Sequence, residues 1–276
     1  MRLLALPLAL LALTACDPQP EGEPVMRTEI GSGEAEARAT PTSTPTAPQR
    51  ASACRAVEFE TTLITHCVAD PAKHAIATAL GPSGGAPYGS LANLAGGRPA
   101  DAPTVAFAFN GGMYDKEGKP IGYYVERGDR LKELNRADGS GNFHLKPNGV
   151  FYGTGTSWHV RTADSFYSNV LDRPAFGTQS GPMLVIDGKL HPEFSEDGPS
   201  KAIRNGVGVD AKGRAHFAIS EEPLSFGRFA RFFRDEAKAP NALYLDGNVS
   251  ALWDPAKGRL DTGPSIGPMI VVEDRE

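Results

Sequence analysis

From Cys54 onward the chain alternates short apolar runs with clusters of turn residues, the pattern of strands joined by tight connections. Arg55 to Phe59 and Thr62 to Val68 read as a first pair of strands. Ile121 to Val125 and Leu131 to Leu134 flank Arg127-Gly128-Asp129. Met183 to Ile186 and Leu190 flank Asp187-Gly188, and Gly206 to Val209 and Ala215 to Ile219 flank Ala211-Lys212-Gly213. The Arg-Gly-Asp tripeptide is most simply a hairpin turn. Thr104 to Phe109 and Leu243 to Leu245 read as buried strands. Two stretches follow the helical period instead. Tyr88 to Leu94 ends toward Gly96-Gly97. Ser225 to Ala237 starts on an N-cap serine and repeats Phe226, Phe229, Ala230, Phe233 and Ala237 on one face. Arg228, Arg231 and Arg234 lie off that stripe, as a solvated basic face does. Hairpins with two scattered helices predict an α+β fold, a single domain of mixed, largely antiparallel twisted β-sheet with a few packed helices.

The N-terminus is built differently. Met1 to Cys16 carries one Arg, an apolar run too short to span a bilayer, and Leu13-Thr14-Ala15-Cys16 at its end. That placement reads as a lipobox. Residues 1–15 are then a signal peptide, and Cys16 is the lipidated N-terminus of an exported protein held at the periplasmic face of the envelope. Asp17 resembles the signal that keeps some such proteins in the inner membrane. Residues 16–52 have no aromatic side chain and are rich in Pro, Thr and Glu, so they predict a disordered tether. Residues 53–276 are long enough for one catalytic domain. Net charge is -5 and the isoelectric point about 5.7. No Lys/Arg run interleaves with aromatics, which leaves a nucleic-acid surface unsupported.

Apart from Cys16, the cysteines are Cys54 and Cys67, in a compartment where pairing is permitted. If Phe59 faces Thr62 across Glu60-Thr61, Cys54 faces Cys67, and a bridge ties the first hairpin. Glu60-Thr61 is a poor tight turn, which leaves that register open.

The candidate chemistry sits where strands end. Asn110-Gly111-Gly112 follows one buried strand, and Asp246-Gly247-Asn248 and Ser250 follow another. Gln179-Ser180-Gly181 precedes a strand, and Arg204-Asn205 begins one. Glycine turns bring backbone N–H groups to a rim from which Asn110 and Asp246 project, although Asn-Gly between apolar runs is by itself most often a plain turn. Arg204 would grip a phosphate bidentately or form an ordinary ion pair. Gln179 and Ser180 offer substrate-positioning groups, and Ser180 lacks the Gly-x-Ser-x-Gly frame of a nucleophile elbow. His144, between Phe143 and Leu145, fits a phosphate ligand or a structural histidine equally well. No Cys/His cluster supports zinc, and no cofactor motif stands out.

Phe109 to Asp115, Asn142 to Tyr152, Thr178 to Gly188, Arg204 to Asp210 and Leu243 to Trp253 together, in this order, resemble the phosphodiester glycosidase family. One departure is Asp246-Gly247-Asn248 where many members carry Asp-Gly-Gly. The resemblance implies a hydrolase that cuts the glycosidic C–O bond of a sugar-1-phosphodiester in an envelope or imported glycoconjugate. Asp246, Arg204 and Asn110 would be catalytic. Gly111, Gly112, Gln179, Ser180, Gly181, Asn205, Gly247, Asn248, Ser250 and His144 would bind substrate. Asp115, Glu126 and Glu221 are the reserve carboxylates. The alternatives are a silent glycan-binding or envelope-assembly lipoprotein on the same scaffold and a phosphodiesterase that attacks phosphorus.

Overall fold

The computed structural model describes residues 50–246 and 249–275. The expected signal peptide, Cys16 and nearly all of the expected tether lie outside the described residues, as do Gly247 and Asn248. Residues 48–276 form one compact unit.

The strands, all paired antiparallel, are β1 Cys54–Phe59, β2 Thr62–Ala69, β3 His74–Ala79, β4 Val105–Asn110, β5 Tyr124–Glu126, β6 Asp129–Lys132, β7 Gly149–Thr154, β8 Ser157–Thr162, β9 Phe176–Ser180, β10 Met183–Ile186, β11 Lys189–Leu190, β12 Lys201–Ala202, β13 Asn205–Val209, β14 Ala215–Ser220, β15 Leu224–Ser225, β16 Asn241–Tyr244, β17 Leu252–Asp254, β18 Arg259–Leu260 and β19 Met269–Asp274. They make a seven-stranded sheet ordered β1-β2-β14-β13-β16-β10-β11 and two five-stranded sheets, β18-β17-β4-β19-β3 and β6-β5-β9-β7-β8. β12 and β15 pair separately.

One core joins the three sheets. Phe107 and Phe109 of β4, Phe151 of β7, Phe217 of β14 and Leu243 of β16 meet there, and the Phe107–Phe217 and Phe151–Phe217 pairs pack edge to face. β4 is buried at every position because it has neighbours on both edges and packing on both faces. Its outer face carries Val105 and Ala108 against Leu91 and Leu94 of α1, Leu91–Gly97.

The first hairpin has the expected register, with Phe59 opposite Thr62 and Cys54 opposite Cys67, and the two cysteines form a disulfide. Glu60 and Thr61 turn it with positive φ, at 46° and 63°, a conformation such residues adopt only where the flanking strands hold it. The next hairpin differs in detail. Its turn is Arg127-Gly128, both with positive φ, and Asp129 already belongs to β6.

The helices also shift. α1 starts at Leu91 with Ser90 as its cap rather than at Tyr88, and Gly96 and Gly97 lie within it. A helix not expected from the sequence, α2 Ala163–Asn169, follows β8 directly and is capped by Thr162. Ser225 caps α3, Phe226–Arg231, as expected, and a π-helical turn continues it through Glu236. Phe229, Phe232 and Phe233 bury their rings against Leu184 and Tyr244 of the large sheet. The basic face is satisfied by acids, with Arg231 on Glu60 at 2.6 Å and Arg234 on Asp235 at 2.7 Å. Among the described residues no helix is long and apolar enough to cross a membrane.

Candidate active site

The ends of β4, β9 and β16 and the start of β13 converge on Leu245, Val249 and Ala251. Asn110 stitches them together. Its amide nitrogen donates to the Val249 carbonyl at 3.0 Å, and its oxygen accepts from the Ala251 N–H at 2.9 Å and from the Asn205 amide. Ser180 donates to the Leu245 carbonyl at 2.9 Å, and Ser250, half-buried, donates to the Ile203 carbonyl at 3.2 Å. Asn110, Ser180, Arg204, Asn205 and Asp246 are thus brought to one place.

Asp246 is 5% exposed, and the hydroxyl of half-buried Tyr114 lies in hydrogen-bonding reach of its carboxylate. The same hydroxyl is 2.7 Å from the Ser265 carbonyl. Burial, and then the Asp246 charge, push the Tyr114 phenol well above its ordinary pKa, so it stays a proton donor. The phenol of Tyr244 is raised by burial against the opposing pull of Arg204. Asp246 adds to that rise, which places its charge near Tyr244 as well.

Arg204 does not face a cleft. It is 2% exposed, and its guanidinium donates to the Leu224 carbonyl at 2.9 Å, the Tyr244 hydroxyl at 3.1 Å, and the Ser200 carbonyl and hydroxyl at 2.9 and 3.1 Å. Its plane lies 3.5 Å from the centre of the Phe226 ring. Burial pulls its pKa down, yet an arginine so solvated by protein oxygens keeps its charge. The expected bidentate grip on a phosphate therefore gives way to a buried cation bonded to Tyr244.

The glycines after Asn110 are required by close approach. A Cβ on Gly112 would lie 2.1 Å from the Gln179 carbonyl, and one on Gly111 would lie 3.0 Å from that of Pro268. Their N–H groups are spent on Thr178 Oγ1 at 3.0 Å and on the Pro268 carbonyl at 2.6 Å, so they form no anion nest. Gly181 is likewise pressed against Asn148 and the Phe143 carbonyl, which docks the Asn142 to Tyr152 motif onto the end of β9.

Two expected substrate contacts point elsewhere. The Gln179 oxygen accepts from the N–H groups of Tyr123 and Asn135, and its nitrogen donates to the Asn135 carbonyl. His144 bonds the Ala137 carbonyl at 3.1 Å with its ring against Gly139. The reserve carboxylates also have structural partners. Asp115 caps its own turn at the Glu117 and Lys119 N–H groups, Glu126 accepts from Leu80 N–H and the Tyr124 hydroxyl, and Glu221 pairs with Arg259 at 2.6 Å. Tyr114 and Tyr244 are the residues sequence reasoning passed over. Their one signal is position, inside the two motifs that end at strand rims.

A groove of about 350 Å³ runs beside the cluster, lined by Ile203, Val249, Ser250, Ala251 and Ile266. Among the described residues no group of three or more His, Cys, Asp or Glu side chains gathers as a metal site.

The structure is similar to the zebrafish N-acetylglucosamine-1-phosphodiester alpha-N-acetylglucosaminidase catalytic domain, auto-inhibited by its pro-peptide. The TM-score is 0.54 at 14% identity, over 80% of this chain and 82% of that one, a likeness of fold. An uncharacterized protein of Escherichia coli K12, YigE, is 38% identical over 149 residues, which take in 54% of this chain and 58% of that protein's length. The family model described as phosphodiester glycosidase matches residues 103–265, from the strand that ends in Asn110 to the Ser265 carbonyl bonded by Tyr114. The chain belongs to the phosphodiester glycosidase family.

Proposed function

We propose that this member of a hydrolase family cleaves the glycosidic C–O bond of a sugar-1-phosphodiester in an envelope or imported glycoconjugate, with Asp246 as the reacting carboxylate. The observation that carries the reading is the meeting of Asp246, Tyr114 and the Arg204–Tyr244 pair at one sheet end. A phosphate monoester, with a second pKa of about 6, leaves far more readily than an alkoxide. Little protonation of the leaving oxygen is needed. Asp246 then activates water or faces the oxocarbenium-like anomeric carbon, and Tyr114 orients it. Arg204 contributes fixed positive charge behind Tyr244 and acts through that hydroxyl, and Asn110 holds the 249–251 segment in place. The groove beside Ser250 and Ile203 would take the rest of the diester.

The test is turnover of an N-acetylglucosamine 1-phosphodiester, the linkage in the zebrafish relative's name, by the full chain in ¹⁸O-water. Label on the sugar is the expected result. Label on phosphate would make the protein a phosphodiesterase, and no turnover would favour the glycan-binding alternative. The Leu-Thr-Ala-Cys placement supports a lipid anchor at Cys16 on the periplasmic face, checked by mass spectrometry of the mature N-terminus.

A further inference from the structure

One cavity lies apart from the strand-end cluster. It measures about 770 Å³ and lies between the β5–β6 hairpin with the chain that follows it and α2 with its C-terminal extension. Its floor is aromatic. Tyr123 and Phe166 pack with ring centres 4.7 Å apart, and both are buried. Tyr167 stands at the rim, 64% exposed, with the Arg136 guanidinium 4.4 Å from its ring centre.

The polar groups around that floor are nearly balanced in charge. Arg130 pairs with Glu133 at 3.0 Å, and Arg136 pairs with Asp164 at 2.9 Å. Asp172 and Arg173 complete the wall, and among the described residues Arg173 has a single long hydrogen bond, 3.4 Å to the Gly128 carbonyl. The Tyr123 side chain is the telling one. The residue is 5% exposed, and among the described residues nothing bonds its hydroxyl, which meets solvent through the cavity; the Arg130 and Arg173 charges act on it from the walls.

The wall is also held in advance. Gln179 clamps the backbone of Asn135 from both sides, at 2.9 Å and 2.6 Å, and Asn135 in turn donates to the Ile121 carbonyl at 3.0 Å. A motif glutamine is therefore spent on shaping this cavity. A site of this make-up suits a pyranose. Aromatic faces receive the C–H face of a sugar ring, and planar guanidinium and carboxylate groups match pairs of neighbouring hydroxyls with two parallel hydrogen bonds. Charge balance argues against a simple anion site, and the wet, charged rim argues against an apolar ligand.

We propose that this cavity is a second saccharide-binding site, separate from Asp246, which takes a neutral sugar unit of a longer glycan between Tyr167, Tyr123 and Arg173. The assignment stands whether or not Asp246 hydrolyses a phosphodiester. The experiment is calorimetric titration of the full chain with cellotriose, maltotriose and triacetylchitotriose, with inorganic phosphate as the anion control. At least one trisaccharide binds in the millimolar range and phosphate does not compete with it. Tyr167→Ala and Arg173→Gln each weaken that binding about tenfold, a loss of about 1.4 kcal/mol. Both leave the melting temperature and turnover of a small phosphodiester unchanged. Asp246→Asn binds the sugar as the parent does. No heat with any of the three sugars, or an affinity indifferent to both cavity substitutions, overturns the proposal, and so does displacement of the sugar by phosphate.

Discussion

The two ends of β13 carry buried polar groups of opposite kinds. At its start, Arg204 and Asn205 join a cluster whose bonds run mostly to main chain, at Leu224, Ser200, Val249 and Ala251, and which brings Asp246 to a rim. Just past its other end, Asp210 opens a chain of side chains. Arg214 and the His216 Nε2 bond the Asp210 carboxylate at 2.6 Å and 3.1 Å, and His216 Nδ1 lies 2.9 Å from His66 Nε2. If His216 gives its one proton to Asp210, His66 must donate to His216, and the His66 Nδ1 is left a bare acceptor with no partner. One end spends its polarity on positioning an acid beside a groove. The other seals two histidines into the sheet, where burial lowers the pKa of both. Buried polarity by itself therefore does not mark a site.

The comparison breaks most visibly at Arg204. Arg204→Ala strands the Leu224 and Ser200 carbonyls and the Tyr244 hydroxyl, and should cost about 4 kcal/mol of unfolding free energy. Activity should fall alike on a phosphodiester and on an uncharged aryl glycoside. A selective loss on the phosphodiester with an unchanged melt would mean that the guanidinium reaches substrate after all. Next comes Asp246→Asn, for which a hundredfold drop in kcat is expected on both substrates, about 3 kcal/mol, with the melt intact. A melt that falls in step with the activity would reassign Asp246 to holding its turn.

Replacing Cys54 and Cys67 together with serine tests the sealed end, since Cys67 adjoins His66 on β2. Opening a loop of this length should cost roughly 3 kcal/mol in urea unfolding with kcat unchanged, because the hairpin lies far along the sheet from Asp246.

The smallest effect, taken per pH unit, is the pH dependence. Burial, then the neighbouring histidine, pushes His66 down to about 3, and burial likewise lowers His216. His66 stays neutral when folded while the unfolded chain takes up protons below about 6.5, so the unfolded state binds more protons in that window, and His216 shifts in the same direction. The contribution of His66 is complete above pH 6.5 and is lost as pH falls from there toward 3, by about 1.4 kcal/mol per pH unit. Urea midpoints measured between pH 7 and pH 4.5 check this, and His66→Phe should flatten the slope.

What could be read without coordinates was local. The Cys54–Cys67 pairing could be expected from two cysteines in one hairpin, although Glu60-Thr61 left the register open, and Ser225 announced its helix because capping is a contact within one turn. α2 escaped notice because its buried residues are only Ala163 and Phe166, too few to show a period, and its cap follows a strand without a break. The role of the glycines after Asn110 was misread for a related reason. Close packing against Gln179 and Pro268 and an anion-binding turn ask for the same residue.

The sequence by itself determined the strand-and-turn alternation, the disulfide pairing, the family and the motifs whose strand ends would meet, since each depends on residue type and spacing along the chain. Only the tertiary structure decided which way the side chains in those motifs turn. Arg204 faces inward because Leu224 and Phe226, about 20 residues further on, offer it a carbonyl and a ring beside the carbonyl of nearby Ser200. Gln179 faces Asn135 because that loop packs across β9. The orientation of a long polar side chain is set by which backbone oxygens surround it, and those are brought near only when the sheets close.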